Sequence, residues 1–295
     1  MTQSISPSGL FQPYVALATP GSVPAAVAIG DLNGDGRNDV ALVAPLTLLV
    51  FLQTPSGALV RSVNQVVGYS RSVALGDLNG DGRLDVVVGN AGSIGVLLQS
   101  QSGTLLPMVE YPTPHASSYV VKTGDFNGDG LTDVVAIAWG NSDVAVYLQN
   151  ATHALDPPVP YQVDHAGYAD AVEVGDINGD GRDDIVVMAG QYYANLGILL
   201  QNPDGSLGPV VYYGLGGNRL PLGVAVGDVN GDSRRDVAVT YEGQFGGAGL
   251  GVFTQNSGGT LNALLDFPCT AESPCSGGVE AVVVADVDGD GREDV

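Results

Sequence analysis

The chain has 295 residues, 32 acidic against 10 basic, and a formal net charge of −22. So acidic a surface repels phosphate backbones and anionic lipid, which argues against nucleic acid and membrane surfaces as partners. A hydrophobic share of 44% is enough to bury a core, so the high charge is not a sign of disorder.

Read from the N-terminus, the first predicted element is an outer strand near residues 9–18. Its segment Gly9-Leu-Phe-Gln-Pro-Tyr-Val15 matches the turn and fourth strand of a unit that returns later as Gly205-Ser-Leu-Gly-Pro-Val-Val211. The next element is the acidic string Gly30–Val40. It recurs at Gly76–Val86, Gly124–Val134, Gly175–Ile185, Gly227–Val237 and Ala285–Val295. The first aspartates of successive copies lie 46, 48, 51, 52 and 58 residues apart.

Between the acidic strings the pattern predicts short strands. An alternating run precedes the string, as in Ser72–Gly76 or Leu222–Gly227. A β-branched run follows it, as in Asp85–Val88 or Asp184–Met188. A third strand ends in Leu-Gln (Gly95–Gln99, Val144–Gln149, Gly197–Gln201). A turn such as Asn202–Ser206 then leads to a fourth strand around Val210–Tyr213. No stretch keeps a helical period. Four strands per repeat predict an all-β chain: a β-propeller with one blade per repeat. The expected organisation is a single domain over residues 1–295, with five complete blades and the start of a sixth. Val295 falls one residue into a second strand, so the sequence reads as truncated at the C-terminus, from a ring of six or seven blades.

The longest apolar stretch, Val40 to Leu52, is broken by Pro45 and is too short to cross a bilayer. No membrane insertion and no signal peptide are expected. Cys269 and Cys275 can form a local disulfide or remain thiols. Asn150-Ala-Thr152 has the form of a glycosylation sequon.

Each acidic string reads D-x-[ND]-x-D-[GS]-x-x-D. Oxygen donors fall at positions 1, 3, 5 and 9, and position 7 can add its backbone carbonyl. The predicted ligands are Asp31, Asn33, Asp35, Arg37 and Asp39 in the first loop; Asp77, Asn79, Asp81, Arg83 and Asp85 in the second; and Asp125, Asn127, Asp129, Leu131 and Asp133 in the third. They continue as Asp176, Asn178, Asp180, Arg182 and Asp184; Asp228, Asn230, Asp232, Arg234 and Asp236; and Asp286, Asp288, Asp290, Arg292 and Asp294. Oxygen-only donors at this spacing suit a hard cation, and calcium better than magnesium. Up to six calcium ions are therefore expected. Ser233 replaces the position-6 glycine of the fifth loop, which should be the weakest or most distorted. The loops are not EF-hands, because no glutamate stands at position 12 and strands flank them. Sites of extracellular affinity would stay largely empty at cytosolic calcium, which points to an extracellular or cell-surface setting.

These strings and their strand-loop-strand setting resemble the FG-GAP/VCBS-type repeats of calcium-binding β-propellers, found in integrin α-subunit head domains and many secreted bacterial proteins. The resemblance covers essentially the whole chain. It implies that the loop aspartates are calcium ligands, and that the chain serves in adhesion, in sugar binding or as an appended module of a secreted enzyme. Fold alone does not choose among these.

The predicted function is a non-catalytic binding or adhesion module for an extracellular protein or carbohydrate. The alternatives are a scaffold or substrate-binding domain of a larger secreted enzyme, and an enzyme with its site in a central channel. His115, His153 and His165 have no metal-ligand spacing. On the face opposite the loops, the strand reading gathers Tyr69, Arg71, His115, Trp139, Tyr168, Asp170, Tyr192, Tyr193, Arg219, Tyr241 and Phe245. Each could instead be ordinary core between blades.

Overall fold

The computed structural model describes residues 16–17, 23–116, 119–138, 143–163, 171–189, 195–217, 219–243, 247–269 and 281–295. The expected outer strand near 9–18 falls mostly outside them.

Twenty strands form five four-stranded antiparallel sheets. The first is β1 (Ala26–Gly30), β2 (Asp39–Ala44), β3 (Leu46–Gln53) and β4 (Leu59–Gly68), in the order β1-β2-β3-β4. The second holds β5 (Ser72–Gly76), β6 (Asp85–Gly89), β7 (Ser93–Leu97) and β8 (Val109–Pro112) in the same order. The third holds β9 (Tyr119–Gly124), β10 (Asp133–Ala138), β11 (Asp143–Tyr147) and β12 (Val159–Gln162). The fourth comprises β13 (Val172–Gly175), β14 (Asp184–Ala189), β15 (Asn195–Leu199) and β16 (Val211–Gly214). The fifth comprises β17 (Arg219–Gly227), β18 (Asp236–Gly243), β19 (Ala248–Phe253) and β20 (Leu265–Pro268). Each sheet is a blade of a β-propeller, and each matches one predicted unit. No helix occurs among the described residues, so none is long and apolar enough to cross a membrane.

Burial explains the strand chemistry. The second strand of a blade lies inside: all five residues of β6 are buried, and Val86, Val87 and Val88 are fully so. A strand covered on both faces reads as a continuous β-branched run rather than an alternation. The fourth strand is the solvent edge. In β8, β12 and β16 only the tyrosine at the third position (Tyr111, Tyr161, Tyr213) is partly buried. The first blade departs from this: β3 and β4 run for 8 and 10 residues, and two register shifts interrupt their pairing.

Two compact units emerge, Met1–Thr123 with Gln149–Pro157 and Gly124–Leu148 with Pro158–Val295. In the first, Leu32, Val43, Leu48 and Val50 pack with Val73, Val86, Val88 and Leu97. In the second, Ile177, Val186, Met188 and Leu196 pack with Val224, Val239, Tyr241 and Phe253. Position 2 of the acidic string joins these interiors: Leu32, Leu78, Phe126 and Ile177 are all at most 3% exposed. The loops are thus pinned to the core by a side chain that the donor pattern left as "x".

The glutamine after the third strand ends the regular ladder but keeps one bridge to a leucine six residues on, as in Gln99 to Leu105 and Gln201 to Leu207. The next residue caps the turn. Asn150 does this with its whole amide: Oδ1 accepts from the Thr152 N–H and hydroxyl, and Nδ2 donates to Asp156 Oδ1 at 2.7 Å. The sequon-like Asn150-Ala-Thr152 is therefore turn chemistry, the kind Asn256 also performs. Gly249 and Gly251 lie within β19 and pair with Tyr241 and Val239. Cys269 is disulfide-bonded. The chain's other cysteine, Cys275, lies outside the described residues.

Candidate metal centre

Each acidic loop joins the first and second strands of its blade and wraps its backbone around the position-1 carboxylate. In the first loop Asp31 Oδ1 accepts the N–H groups of Gly34 (2.7 Å) and Asp35 (3.1 Å), and Oδ2 accepts that of Gly36 at 2.7 Å. The turn needs left-handed backbone at position 6, where Gly36 has φ 80°. Asn33 Oδ1 accepts from Asp35 N–H at 2.9 Å, and Asp35 Oδ1 from Arg37 N–H at 3.0 Å. The same bonds recur with near-identical lengths in the fourth loop, around Asp176, Asn178 and Asp180.

Position 9 begins the second strand and is buried. Asp39, Asp85, Asp133, Asp184 and Asp236 are all 0% exposed. Asp184 Oδ2 accepts from Ile177 N–H at 2.9 Å and Oδ1 from Gln201 N–H at 2.8 Å. Asp39 and Asp85 are bound in the same way. This residue therefore ties the loop's start to the end of the third strand.

The electrostatics divide along the same line. Burial works to raise Asp31, but four backbone N–H groups outweigh it and hold the carboxyl below its ordinary range. Burial pushes Asp85 up to about 6, against two backbone N–H bonds and with help from the charges of Asp81 and Asp77. Asp184 is pushed up to about 6 for the same reasons, with Asp180 and Asp176 adding to the burial. Each loop thus concentrates carboxylate charge that a cation would relieve.

Two observations test whether a hard cation fits. In the sixth loop, carboxylate oxygens of Asp286, Asp288 and Asp294 all lie within 4.8 Å of one another. In the fifth, Asp236 Oδ2 is buried without a hydrogen-bond partner, because Val229 N–H turns to Gly227 carbonyl. An oxygen-only cluster and an orphaned buried carboxylate oxygen both suit a divalent cation.

In the sixth loop it is thus positions 1, 3 and 9 that lie together, and in the other five loops position 5 is engaged elsewhere. In four loops the arginine at position 7 folds back on it, pairing Arg37 with Asp35, Arg83 with Asp81, Arg182 with Asp180 and Arg234 with Asp232. The same guanidinium donates through Nε to the glutamine carbonyl after the third strand, at 2.8 Å for Arg37 to Gln53. Sequence spacing gave no sign of this pairing, because position 7 entered the argument only through its carbonyl. In the third loop Leu131 stands at position 7, and Asn127 Nδ2 donates to Asp129 Oδ2 at 3.1 Å, a bond that Asn178 also makes to Asp180 at 2.8 Å beside Arg182.

The glutamines were missed as well. Gln201 Nε2 donates to the carbonyl of Asp125 at 2.7 Å, and Gln255 Nε2 to that of Asp176 at 3.3 Å. Gln99 and Gln149 make the same bond to Asp31 and Asp77. Each therefore latches the first residue of an earlier loop. The repeated Leu-Gln ending was the available signal for Gln99, Gln149 and Gln201, while Gln255 follows Thr254.

The fifth loop is distorted, but not at Ser233. That residue adopts the left-handed conformation at φ 64° and keeps its N–H bond to Asp228 Oδ2 at 2.7 Å. The departure lies at Val229 and Asp236. Ser233→Gly should stabilise the chain by about 0.5–1 kcal/mol, the left-handed cost of a side chain less the added chain entropy of glycine. Urea unfolding in chelator would measure it, and a loss of stability would contradict the strain.

The opposite face is mixed. Tyr241 is 3% exposed and sits in the core, correcting its placement on a ligand face. Its hydroxyl donates to Asp266, and the Arg219 guanidinium lies 4.1 Å from its ring centroid while also pairing with Asp266. Burial, then the bond to Asp266, pushes the Tyr241 hydroxyl up to about 12. Tyr69 is 52% exposed and Arg71 is exposed, while His115 is half-buried. Trp139, Tyr168, Asp170, Tyr192, Tyr193 and Phe245 lie outside the described residues.

Fold and loops together define a repeat β-propeller with an acidic turn between the first two strands of each blade. The chain belongs to the FG-GAP-like repeat family, which it matches over residues 31–88, 77–136, 125–187, 176–239 and 228–295. A comparison with curated proteins finds no match. Among solved structures, an Agrocybe aegerita lectin that recognises non-reducing terminal N-acetylglucosamine aligns with a TM-score of 0.58 and 18% identity, over 83% of this chain and 65% of that one. The V. cholerae biofilm matrix protein Bap1 aligns with a TM-score of 0.49 and 18% identity, over 83% of this chain and 40% of that one. The chain thus spans less than two thirds of either protein's length, and at 18% identity the likeness to the lectin is one of fold.

Proposed function

We propose that the chain is a non-catalytic binding module, held in shape by calcium in its six loops and working outside the cell or at its surface. The observation that carries the reading is the sixfold oxygen-only donor set, gathered within 4.8 Å at Asp286, Asp288 and Asp294. Positions 1, 3 and 9 would hold the ion. Bound calcium would supply positive charge to turns that otherwise crowd carboxylates, and would bring the net charge to about −10. The module's partner would be a carbohydrate or a protein. The family membership and the fold shared with a lectin support this choice, and Tyr69 with Arg71 offers exposed stacking and polar groups.

Several other carboxylates have structural partners. Asp266 binds Tyr241 and Arg219, Asp156 binds Asn150, and Glu293 binds Arg235. Such engagement favours a binding role over acid–base chemistry. The test is a glycan array probed with the calcium-loaded chain and repeated in chelator, with calcium uptake measured by calorimetry. Saturable, chelator-sensitive binding is expected. Failure to take up calcium would overturn the metal reading, and turnover of a bound glycan would overturn the non-catalytic one.

A further inference from the structure

Five of the six loops carry the same tripeptide, Asn-Gly-Asp, at Asn33, Asn79, Asn127, Asn178 and Asn230. In four of them the glycine N–H donates to the position-1 carboxylate: Gly34 to Asp31 and Gly128 to Asp125 at 2.7 Å, Gly179 to Asp176 at 2.6 Å, and Gly231 to Asp228 at 2.7 Å. In the second loop Asp77 accepts from Asn79, Asp81 and Gly82 but not from Gly80.

The cause lies in the turn that faces this loop. The equivalent turns carry Gly103, Gly205 and Gly259, where an added Cβ would stand 2.5, 2.3 and 2.7 Å from the carbonyl oxygens of Asn33, Asn127 and Asn178. Facing the second loop, the residue is His153, held at φ 59°. Its ring lies against Gly80, so close that a Cβ there would be 2.4 Å from Cε1, and Nδ1 is 3.2 Å from Gln149 Oε1. The bulk that the first, third and fourth loops do not meet sits beside Asn79-Gly80.

We propose that Asn79 is a site of spontaneous deamidation, favoured over the four sister asparagines by the fold. The Gly80 nitrogen loses its proton to solvent and bonds to Asn79 Cγ. The Cγ–Nδ2 bond breaks and the nitrogen leaves as ammonia, closing a succinimide. Water then opens the ring at either carbonyl, giving an aspartyl or an isoaspartyl residue at position 79. An N–H held by a carboxylate is a poor source of that nitrogen nucleophile, and only Gly80 is free of this hold. Gly80 is also exposed to solvent. The position-3 side chain does not explain the difference, since its Oδ1 accepts from the position-5 N–H at 2.9–3.0 Å in all five loops. The aspartyl product would give the second loop the donor set that the sixth encodes with Asp288. The isoaspartyl product would lengthen the backbone inside the turn.

The test is peptide mapping by mass spectrometry of the full chain, aged at neutral pH in chelator, with aspartyl and isoaspartyl forms resolved. Asn79 should convert about tenfold faster than Asn33, Asn127, Asn178 and Asn230, the factor expected from one charge-assisted hydrogen bond. In denaturant the five rates should converge. His153→Gly, which installs the residue of the sister turns, should bring Asn79 down to their rate. Equal or slower conversion at Asn79 in the folded chain would overturn the proposal. So would an unchanged rate in His153→Gly, or a ranking that persists in denaturant.

Discussion

Excess chelator should lower the melting temperature of the chain by on the order of 20 °C relative to about 2 mM calcium. A loop with a dissociation constant of about 10⁻⁴ M gains about 1.8 kcal/mol at that concentration. Six such loops gain about 11 kcal/mol, and each kcal/mol moves the midpoint of a domain this size by about 2–4 °C. The structure says why the effect should be large. The position-9 aspartates of the first five loops are fully buried, and Asp85 and Asp184 are pushed up to about 6 by that burial and by neighbouring loop carboxylates. An ion at positions 1, 3 and 9 would replace repulsion with attraction where water screens least. Magnesium at the same concentration should restore less of the loss, because its rigid octahedral demand fits a turn of this kind poorly. A melt indifferent to chelator would mean that backbone N–H groups alone hold the loops, and the extracellular reading would lose its footing.

Much of this architecture could be read from residue order, and the part that could not has a common cause. The acidic strings repeat within eleven residues, so Asp31 to Asp39 and their five copies declared themselves locally. The strand runs did too: Ser72–Gly76 is β5 as expected, and Asp85–Val88 falls one residue short of β6. Contacts that join distant segments were hidden. Gln99, Gln149, Gln201 and Gln255 reach loops 68, 72, 76 and 79 residues earlier in the chain. A single sequence says that a glutamine ends the strand, not where its amide goes. Tyr241 was misplaced for a related reason. Its position just past a β-branched run resembled a connector, but β18 continues through it to Gly243 and carries the ring into the core. The division of labour among the carboxylates was equally invisible. Ligand-type spacing treats positions 5 and 9 alike, yet Asp180 is held by Arg182 near the surface while Asp184 is buried under backbone donors.

That division makes a sharper prediction than the motif does. In chelator, Asp184→Ala should destabilise the chain by about 3 kcal/mol, whereas Asp180→Ala should change stability by less than about 1 kcal/mol. Removing Asp184 strands two buried N–H groups, those of Ile177 and Gln201. Removing Asp180 frees Arg182, whose side chain is 28% exposed and keeps its Nε bond to the Gln201 carbonyl. Relief of like charge offsets part of each loss, more for Asp184, which crowds with Asp180 and Asp176. Urea unfolding of the two variants and the parent chain, run in chelator and again in calcium, separates the roles. Calcium should restore less stability to Asp184→Ala than to the parent, because a ligand and a clamp are lost together. If Asp184→Ala were as stable as the parent in chelator, position 9 would act only as a ligand, and the buried hydrogen bonds would contribute nothing to the fold.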